Sequence, residues 1–430
     1  MFGKTGMRVL IIGAGTGGLC LAHGLKKAGV DVALFERDRT PRSMLIGYRV
    51  GISPDGSKAL HTCLPPDVFK EFVRTTARPA TRINMRTEKY KELFVGEFGH
   101  NPDDTRSEKS VSRIAMRTAL LNGLDDVVRF DKTFTHFSRN DDGSVTAFFD
   151  DGTSETGDVL VGADGAQSRV RRQYLPHAKI ADTGITTIAG KLPLTPEHVK
   201  LLPPKADGGV TLLYGPKGAF VIVHVMRFDG EGVEDDYIMW GYAASHDKFP
   251  DMKGMTQEQL KQVVLDMTPK FHPNLRELFR LADPETVFEI KVRTSEPLEA
   301  WESSNVTLIG DSVHLMTPGR GIGANTALRD AELLTRKLTE AHHGKDVVQA
   351  ISEYEQEMVK YGFEAVLASR EQMDGNGVIH KPVIGRVVLA FLRTFLRVTN
   401  AVPALKRRML TQDAALRDHV NSDHEVVHAG

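Results

Sequence analysis

"RVLIIGAGTGGLCLAHGLKKAG" (residues 8–29) runs from an apolar segment through closely spaced glycines into a helix-like stretch. Its periodicity predicts a strand over Arg8 to Ile12, a turn, a helix over Gly17 to Ala28 and a second strand over Val32 to Glu36, which is one βαβ unit. Gly13, Gly15 and Gly18 form GxGxxG between the first strand and the helix. There the first glycine permits the tight turn, the second lets the backbone approach a pyrophosphate, and the third lets helix and strand pack closely. The helix N-terminus, with Thr16 at its mouth, offers N–H groups and a positive dipole end to the anion. Glu36 closes the second strand, where a carboxylate can accept hydrogen bonds from an adenosine ribose. The pattern predicts dinucleotide binding and fits FAD and NAD equally.

A second stretch of similar shape lies three hundred residues on. "VTLIGDSVHLMTPGRGIGANTALRDAELL" (306–334) reads as a strand over Val306 to Ile309, a turn at Gly310, a glycine-rich loop and a helix from near Ala324. Asp311 stands where a carboxylate can accept from ribitol or ribose hydroxyls. Pro318, Gly321, Gly323 and Asn325 precede the helix, whose N-terminus favours negative charge in front of it. Between the two, "DVLVGADGAQSRVRR" (158–172) carries a strand into Asp164-Gly165, then Ser168 and Arg171. By itself it reads as a strand-to-helix turn with Ser168 near an N-cap.

The rest of the chain predicts what lies between these motifs. A mixed-polarity helix is expected around 56–76 and an apolar-faced one over 111–124, ending on Gly123. Short alternating strands follow, with "DDG" hairpin turns. Residues 181–295 are strand-like, with two strands around the Gly-Pro-Lys-Gly turn and a helix at about 256–268. The expected fold is α/β: a discontinuous Rossmann-like dinucleotide-binding domain (1–180 and 296–345, with some strands near 80–110 belonging to the neighbouring sheet). A mainly antiparallel substrate-binding β-sheet domain (181–295) is inserted into it, and a helical region (346–430) ends the chain.

Composition narrows the class. The 430 residues are 41% hydrophobic and 26% charged, which supports a large core, and the net charge of -1 gives no reason to expect nucleic acid. Only Cys20 and Cys63 occur, without metal or disulfide spacing, so no metal site is expected. Gly13, Gly15 and Gly18 break the first apolar run, which is unlike a secretory signal. No run of about 18 apolar residues suggests a membrane span. A cytoplasmic protein is the expectation.

The three motifs in this order resemble the single-component FAD-dependent aromatic-hydroxylase family, the p-hydroxybenzoate hydroxylase-like monooxygenases that include the tetracycline-inactivating enzymes. The residues carrying the resemblance are GxGxxG at 13–18 with Glu36-Arg37, DGxxSxxR at 164–171 and GDxxH…PxxGxGxN…DA at 310–331. The resemblance implies a pyrophosphate loop at Gly13, Gly15 and Gly18, a ribose ligand at Glu36 and an adenosine neighbour at Arg37. It implies that Arg113 reaches the phosphate or ribityl region, that Asp164 serves both FAD and NAD(P)H use, and that Asp311 binds the ribityl chain. Gly321, Gly323 and Asn325 would meet the isoalloxazine, and Ser312 replaces a common alanine. The implied chemistry is reduction of FAD by NADPH or NADH, reaction with O2 to a C4a-hydroperoxide, and transfer of one oxygen to the substrate. An aromatic or polycyclic, largely apolar small molecule, hydroxylated or epoxidised, is the expected substrate.

No second GxGxxG follows a strand, which fits transient nicotinamide binding. The alternatives are an FAD-dependent reductase of the geranylgeranyl-reductase type, a halogenase, or a flavin-binding module without turnover. The halogenase WxWxIP run is absent, since the only tryptophans are Trp240 and Trp301. Catalytic candidates are Tyr214, before a Gly-Pro turn, and Arg49, in the loop before "GISPDG". His224, alternating with valines, is expected to face solvent or be satisfied, and His314 to brace its turn. "VIGRVVLAFLRTFLRV" (383–398) puts Arg386, Arg393 and Arg397 on one helical face; a helix packed on the domain is the first expectation, an interfacial membrane helix the second.

Overall fold

A computed structural model describes residues 6–40, 47–229 and 234–419, the last eight by backbone alone. The first βαβ unit forms as its pattern requires: strand Arg8–Ile12, helix Thr16–Lys27, strand Asp31–Phe35. These strands join a five-stranded parallel sheet in the order Val306–Leu308, Val159–Gly162, Arg8–Ile12, Asp31–Phe35, Val128–Arg129. The apolar runs of this sheet are buried between the first helix and the long helix Gly323–His342 on one side and a small antiparallel meander (Phe134–Arg139, Val145–Phe149, Ser154–Gly157) on the other. The "DDG" segments turn that meander's hairpins.

The second layer is a seven-stranded sheet, ordered Phe288–Ser295, Ile180–Pro193, Tyr237–Ser245, Phe220–Met226, Gly209–Tyr214, Arg82–Thr87, Glu92–Glu97. All its neighbours are antiparallel except Gly209–Tyr214 and Arg82–Thr87. One face packs on helices Gln257–Met267 and Pro273–Arg280 through Leu213, Val221, Val223, Trp240 and Tyr242. At the Gly209–Tyr214 strand the other face packs under the C-terminal helix Ile384–Ala401, through Val210, Leu212 and Tyr214.

Several expected elements divide differently. The helix expected over 56–76 is two, Pro54–Cys63 and Pro66–Arg74, because Pro65 follows Leu64 and forces extended backbone there. Lys109–Ser112 is a strand paired with Arg49–Ile52, so the helix expected from 111 begins at Arg113 with Ser112 as its cap. Pro273–Arg280 is a helix where only the first of the pair was expected. Its strongly one-sided apolar pattern, Leu275, Leu278 and Phe279, was the readable signal. Residues 41–46 lie outside the described residues.

Helix Val347–Arg370 closes the back of the parallel sheet, and its Tyr354 hydroxyl donates to the Leu308 carbonyl at 2.9 Å. The next residue, the buried Glu355, accepts from Ser303 Oγ at 2.6 Å and Thr307 Oγ1 at 2.8 Å. Burial outweighs these bonds and pushes its carboxyl up from 4.5 to about 7. Because the folded protein then binds the proton more tightly than the unfolded chain, stability falls as pH rises from about 4.5 to 7, by about 3 kcal/mol from this group. Glu355→Gln is expected to remove that slope and to raise the melting temperature relative to the parent at pH 8 more than at pH 5. Parallel melts across this range check it; identical slopes contradict it.

Candidate active site

The strands Arg8–Ile12, Val159–Gly162 and Val306–Leu308 are adjacent and parallel, so they end side by side. Their C-terminal ends bring Gly13, Asp164 and Asp311 to one edge, where open α/β sheets bind ligands. A cleft of about 570 Å³ opens there, lined among others by Gly13, Gly15, Thr16, Glu36, Arg37, Arg113 and Asp164. Gly13 has φ +110°, and a Cβ on it would lie 2.4 Å from the Ala163 carbonyl oxygen. A Cβ on Gly18 would lie 2.1 Å from the Gly13 carbonyl oxygen, whereas at Gly15 nothing stands within 4 Å. The turn is thus pressed tight on its protein side and open at its middle glycine. No side chain caps the helix that starts at Thr16.

Glu36 holds the turn's entry. Its Oε2 accepts from Ala14 N at 2.6 Å and its Oε1 from Asp38 N at 3.0 Å. Arg117, which the sequence reading passed over, lies beside it: Nη1 donates to Asp38 Oδ2 at 2.7 Å and Nη2 sits 3.8 Å from Glu36. Its buried Nε and Nη2 make no hydrogen bond. The available signal was spacing, since Arg113 and Arg117 are one helical turn apart on Arg113–Leu121 and both line the cleft.

Asp164 lies at the cleft's other wall. Its Oδ2 accepts from Arg169 N at 2.7 Å, while Ser168 Oγ accepts from Arg171 N at 2.8 Å and caps the short helix Arg169–Tyr174. The buried Ser312 is more than a neutral replacement. It accepts from Gly165 N at 2.9 Å, reaches Asp164 Oδ1 at 3.4 Å, and its carbonyl accepts from Arg171 Nη1 at 3.0 Å, tying the second motif to the third. Asp311, beside it, is exposed. The protein crowded around its carboxyl pushes its pKa up against the pull of His314 and Arg113. His314 is buried behind the turn with Nε2 2.7 Å from Asp330 Oδ2. Asp330 also accepts from Gly310 N at 2.7 Å and from the Tyr361 hydroxyl at 2.6 Å. Burial opposes the imidazolium, the Asp330 carboxylate wins, and the His314 pKa is raised: this histidine is a brace.

Gly321 has φ +65° with open space at its Cβ position, and helix Gly323–His342 again starts without a side-chain cap. Asn325 is inside that helix. Its Nδ2 donates to the Gly51 carbonyl at 2.9 Å and its Oδ1 accepts from Ser53 N at 2.8 Å, so its side chain clamps the helix to strand Arg49–Ile52.

The face of the seven-stranded sheet away from helices Gln257–Met267 and Pro273–Arg280 is read from register. Leu212, Ile222, Gly241 and Ala189 share one row, and Val210, His224, Met239 and Lys191 the next. His224 departs from expectation: it neither faces solvent nor is satisfied. It is buried, its Nδ1 has no hydrogen-bond partner, and burial followed by the nearby Arg49 charge drives its pKa well down, leaving it neutral. Thr187 Oγ1, one row from Gly241 on the same face, is also unpartnered. Arg49 donates from Nε to Ser110 Oγ at 2.9 Å and stands near His224 and Tyr237. Tyr214 stacks edge-on against Phe220 at 5.5 Å in the cluster under the C-terminal helix, and its carbonyl accepts from Arg393.

Comparison with known proteins decides the family. The model of the FAD binding domain matches residues 59–368, and that of the NAD(P)-binding Rossmann-like domain matches 11–58. The chain belongs to the FAD-binding domain family. A Photorhabdus luminescens structure assigned to the FAD containing monooxygenases is 36% identical, with a TM-score of 0.76 over 85% of this chain and 98% of that one. Klebsiella pneumoniae HpxO complexed with FAD and uric acid shares the fold, with a TM-score of 0.74 at 23% identity over 91% of this chain and 94% of that one. The dual O-methyltransferase/FAD-dependent monooxygenase CTB3 of Cercospora beticola is 35% identical over 81% of this chain, which spans 44% of that relative's length. The FAD-dependent monooxygenase thnD of Trichoderma harzianum is 29% identical over 87% of this chain and 95% of its own. The resemblance carried by the three motifs and the α/β fold class therefore hold, with FAD as cofactor and a nicotinamide reductant.

The cleft fits FAD on its own evidence. An uncapped helix end beside an open glycine suits a pyrophosphate, and two buried Arg117 nitrogens without partners suit an acceptor-rich adenosine phosphate.

Proposed function

We propose that this chain is an FAD- and NAD(P)H-dependent monooxygenase. It places one oxygen atom from O2 into an aromatic or polycyclic, largely apolar small molecule, by hydroxylation or epoxidation, in the cytoplasm. The observation that carries this reading is the convergence of Gly13, Asp164 and Asp311 at the ends of three adjacent parallel strands. FAD, when bound and reduced, supplies the oxygen-activating chemistry.

In this reading Gly13, Gly15, Thr16 and Gly18 hold the pyrophosphate with backbone N–H groups, and Glu36 and Arg37 hold the adenosine end, with Arg117 beside them. Arg113 spans toward the ribityl chain, Asp311 accepts from its hydroxyls, and Asp164 fixes the wall between. Gly321, Gly323 and the helix behind them lie against the ring, with Asn325 setting that helix's position. On the substrate side, Ile222, Gly241, Ala189 and Met239 exclude water. The unpartnered His224 Nδ1 and Thr187 Oγ1 orient a polar substituent of the substrate, and Arg49 stands beside His224. Tyr214, under the C-terminal helix, serves as pocket wall. The division into 1–180 with 296–345, 181–295 and 346–430 remains our proposed domain organisation. The strands Arg82–Thr87 and Glu92–Glu97 belong with the second unit.

The test is NADPH and NADH oxidation by purified, flavin-loaded protein against phenols, quinones and polyketides, with oxygen uptake followed in parallel. Substrate-stimulated oxidation matched by oxygen consumption is expected. Substrate turnover of equal rate without oxygen would mean a reductase and overturn the proposal.

A further inference from the structure

Helix Ile384–Ala401 is apolar on two sides, yet only one is buried. Leu396 and half-buried Leu392 pack against Leu93 and Phe94, and Leu389 is buried as well. Polar bonds lock this face inward. Arg393, on the helical face it shares with Arg386 and Arg397, turns in to Glu88 and to the Tyr214 carbonyl. Asn400 Oδ1 accepts from Val95 N at 3.2 Å, and its Nδ2 donates to Glu92 at 3.1 Å. The helix therefore cannot roll its second side under cover.

That second side is Ile384, Val387, Phe391, Phe395, Val398 and Val402, spaced three and four apart and hence one stripe. Phe391 is 73% exposed, Val387 67% and Ile384 54%, and Leu405 prolongs the patch past the sharp bend into helix Pro403–His419. A contiguous exposed apolar stripe of this kind marks a surface that is covered in use.

Charge decides what covers it. Between Asp374 and Asp413 the chain has no acidic residue and seven basic ones, Lys381, Arg386, Arg393, Arg397, Lys406, Arg407 and Arg408. Of these, Lys381, Arg386, Arg397, Arg407 and Arg408 are exposed. A second copy laid on the same face would set like charges against like. An anionic lipid surface instead takes the apolar side chains below its headgroups and pairs the cations with phosphates. No single described helix is long and apolar enough to cross a membrane; Ile384–Ala401 and Pro403–Thr411 reach that length only together, across a bend of 107°, which suits a contact in the plane of the surface. We infer that the C-terminal helix pair docks the enzyme peripherally on anionic lipid, with Phe391 and Phe395 as the inserted anchors. The inference is independent of the oxygenation chemistry.

Vesicle flotation of the full chain tests it, using phosphatidylcholine vesicles with and without phosphatidylglycerol. The parent is expected to float with the anionic vesicles and weakly with neutral ones. Phe391→Asp combined with Phe395→Asp is expected to lower binding about ten-fold or more, as two buried aromatic anchors are lost. Arg386→Glu with Arg397→Glu is expected to abolish the preference for phosphatidylglycerol. Flavin absorbance and its bleaching by NADPH in the same samples are expected to be unchanged, which shows that the variants fold and separates this result from any failure of the proposed activity. Absence of parent flotation, or equal flotation of parent and phenylalanine variant, overturns the inference. So does a concentration-dependent dimer that the phenylalanine substitutions dissolve, which would make the stripe a self-interface.

Discussion

Gly18→Ala is expected to yield a colourless, less stable protein. The added methyl would stand 2.1 Å from the Gly13 carbonyl oxygen and 3.2 Å from the Ala163 Cβ. Backbone on one side and a packed strand end on the other leave no flexible group to move aside. Helix Thr16–Lys27 must then back away from the strand, and it carries nine buried residues, Gly17 to Leu25. Overpacking of this kind costs about 1–3 kcal/mol, and this contact belongs at the upper end because the clash is with backbone. The same shift widens the turn at Gly15 and misaims the helix N–H groups, so flavin affinity falls with stability. Thermal melting and the flavin-to-protein absorbance ratio of purified variant and parent are the measurements. A variant that purifies yellow with an unchanged melt would show that the turn is looser than its geometry implies. Gly15→Ala, with nothing within 4 Å of the new methyl, is the matched control: its melt should hold while flavin retention drops.

Asp311→Ala is expected to separate flavin retention from stability. The residue is exposed and holds no core together, because the bracing of the turn is done by Asp330, which bonds Gly310 N, His314 and Tyr361. Losing Asp311 therefore leaves the flavin-free melt near the parent's. If it accepts ribityl hydroxyls as proposed, its removal strands those donors and costs about 1–3 kcal/mol of binding, or roughly ten- to hundred-fold in FAD affinity. NAD(P)H oxidation falls with it and returns at saturating FAD. Titration of flavin-stripped protein with FAD reads the affinity directly. Unchanged affinity sinks the ribityl assignment, whereas a collapsed melt would mean that Asp311 is structural and that the division of labour with Asp330 is misread.

Much of the cofactor end was legible in the chain because its requirements are local. A GxGxxG between an apolar strand and a helix has few other uses, and Gly13 and Gly18 have the tight surroundings that demand glycine. The acidic Glu36 is placed by strand length alone. Ser312 was legible as a residue but not as a link. Its bond to Gly165 spans 147 positions and exists only because strands Val159–Gly162 and Val306–Leu308 pair. Arg117 was hidden for a similar reason: arginine on a helix reads as solvated until Asp38 and Glu36 are seen beside it.

The substrate side was legible only as strands. Period-2 alternation tells which residues share a face but not which face is covered. His224 looked solvent-facing by that pattern, and tertiary packing buried it with Nδ1 unpartnered. The C-terminal helix shows the same limit in reverse. Its sequence is apolar enough to suggest a wholly packed element, but the sheet accepts only the Leu389–Leu396 side and leaves Phe391 and Phe395 outside. Local spacing thus determined the βαβ unit, the glycine turn and the motifs that carry the family, because backbone geometry acts over a few residues. The tertiary structure alone decided the Asp164–Ser312 link, the orientation of His224 and the outward stripe, because each depends on which distant surface a side chain meets.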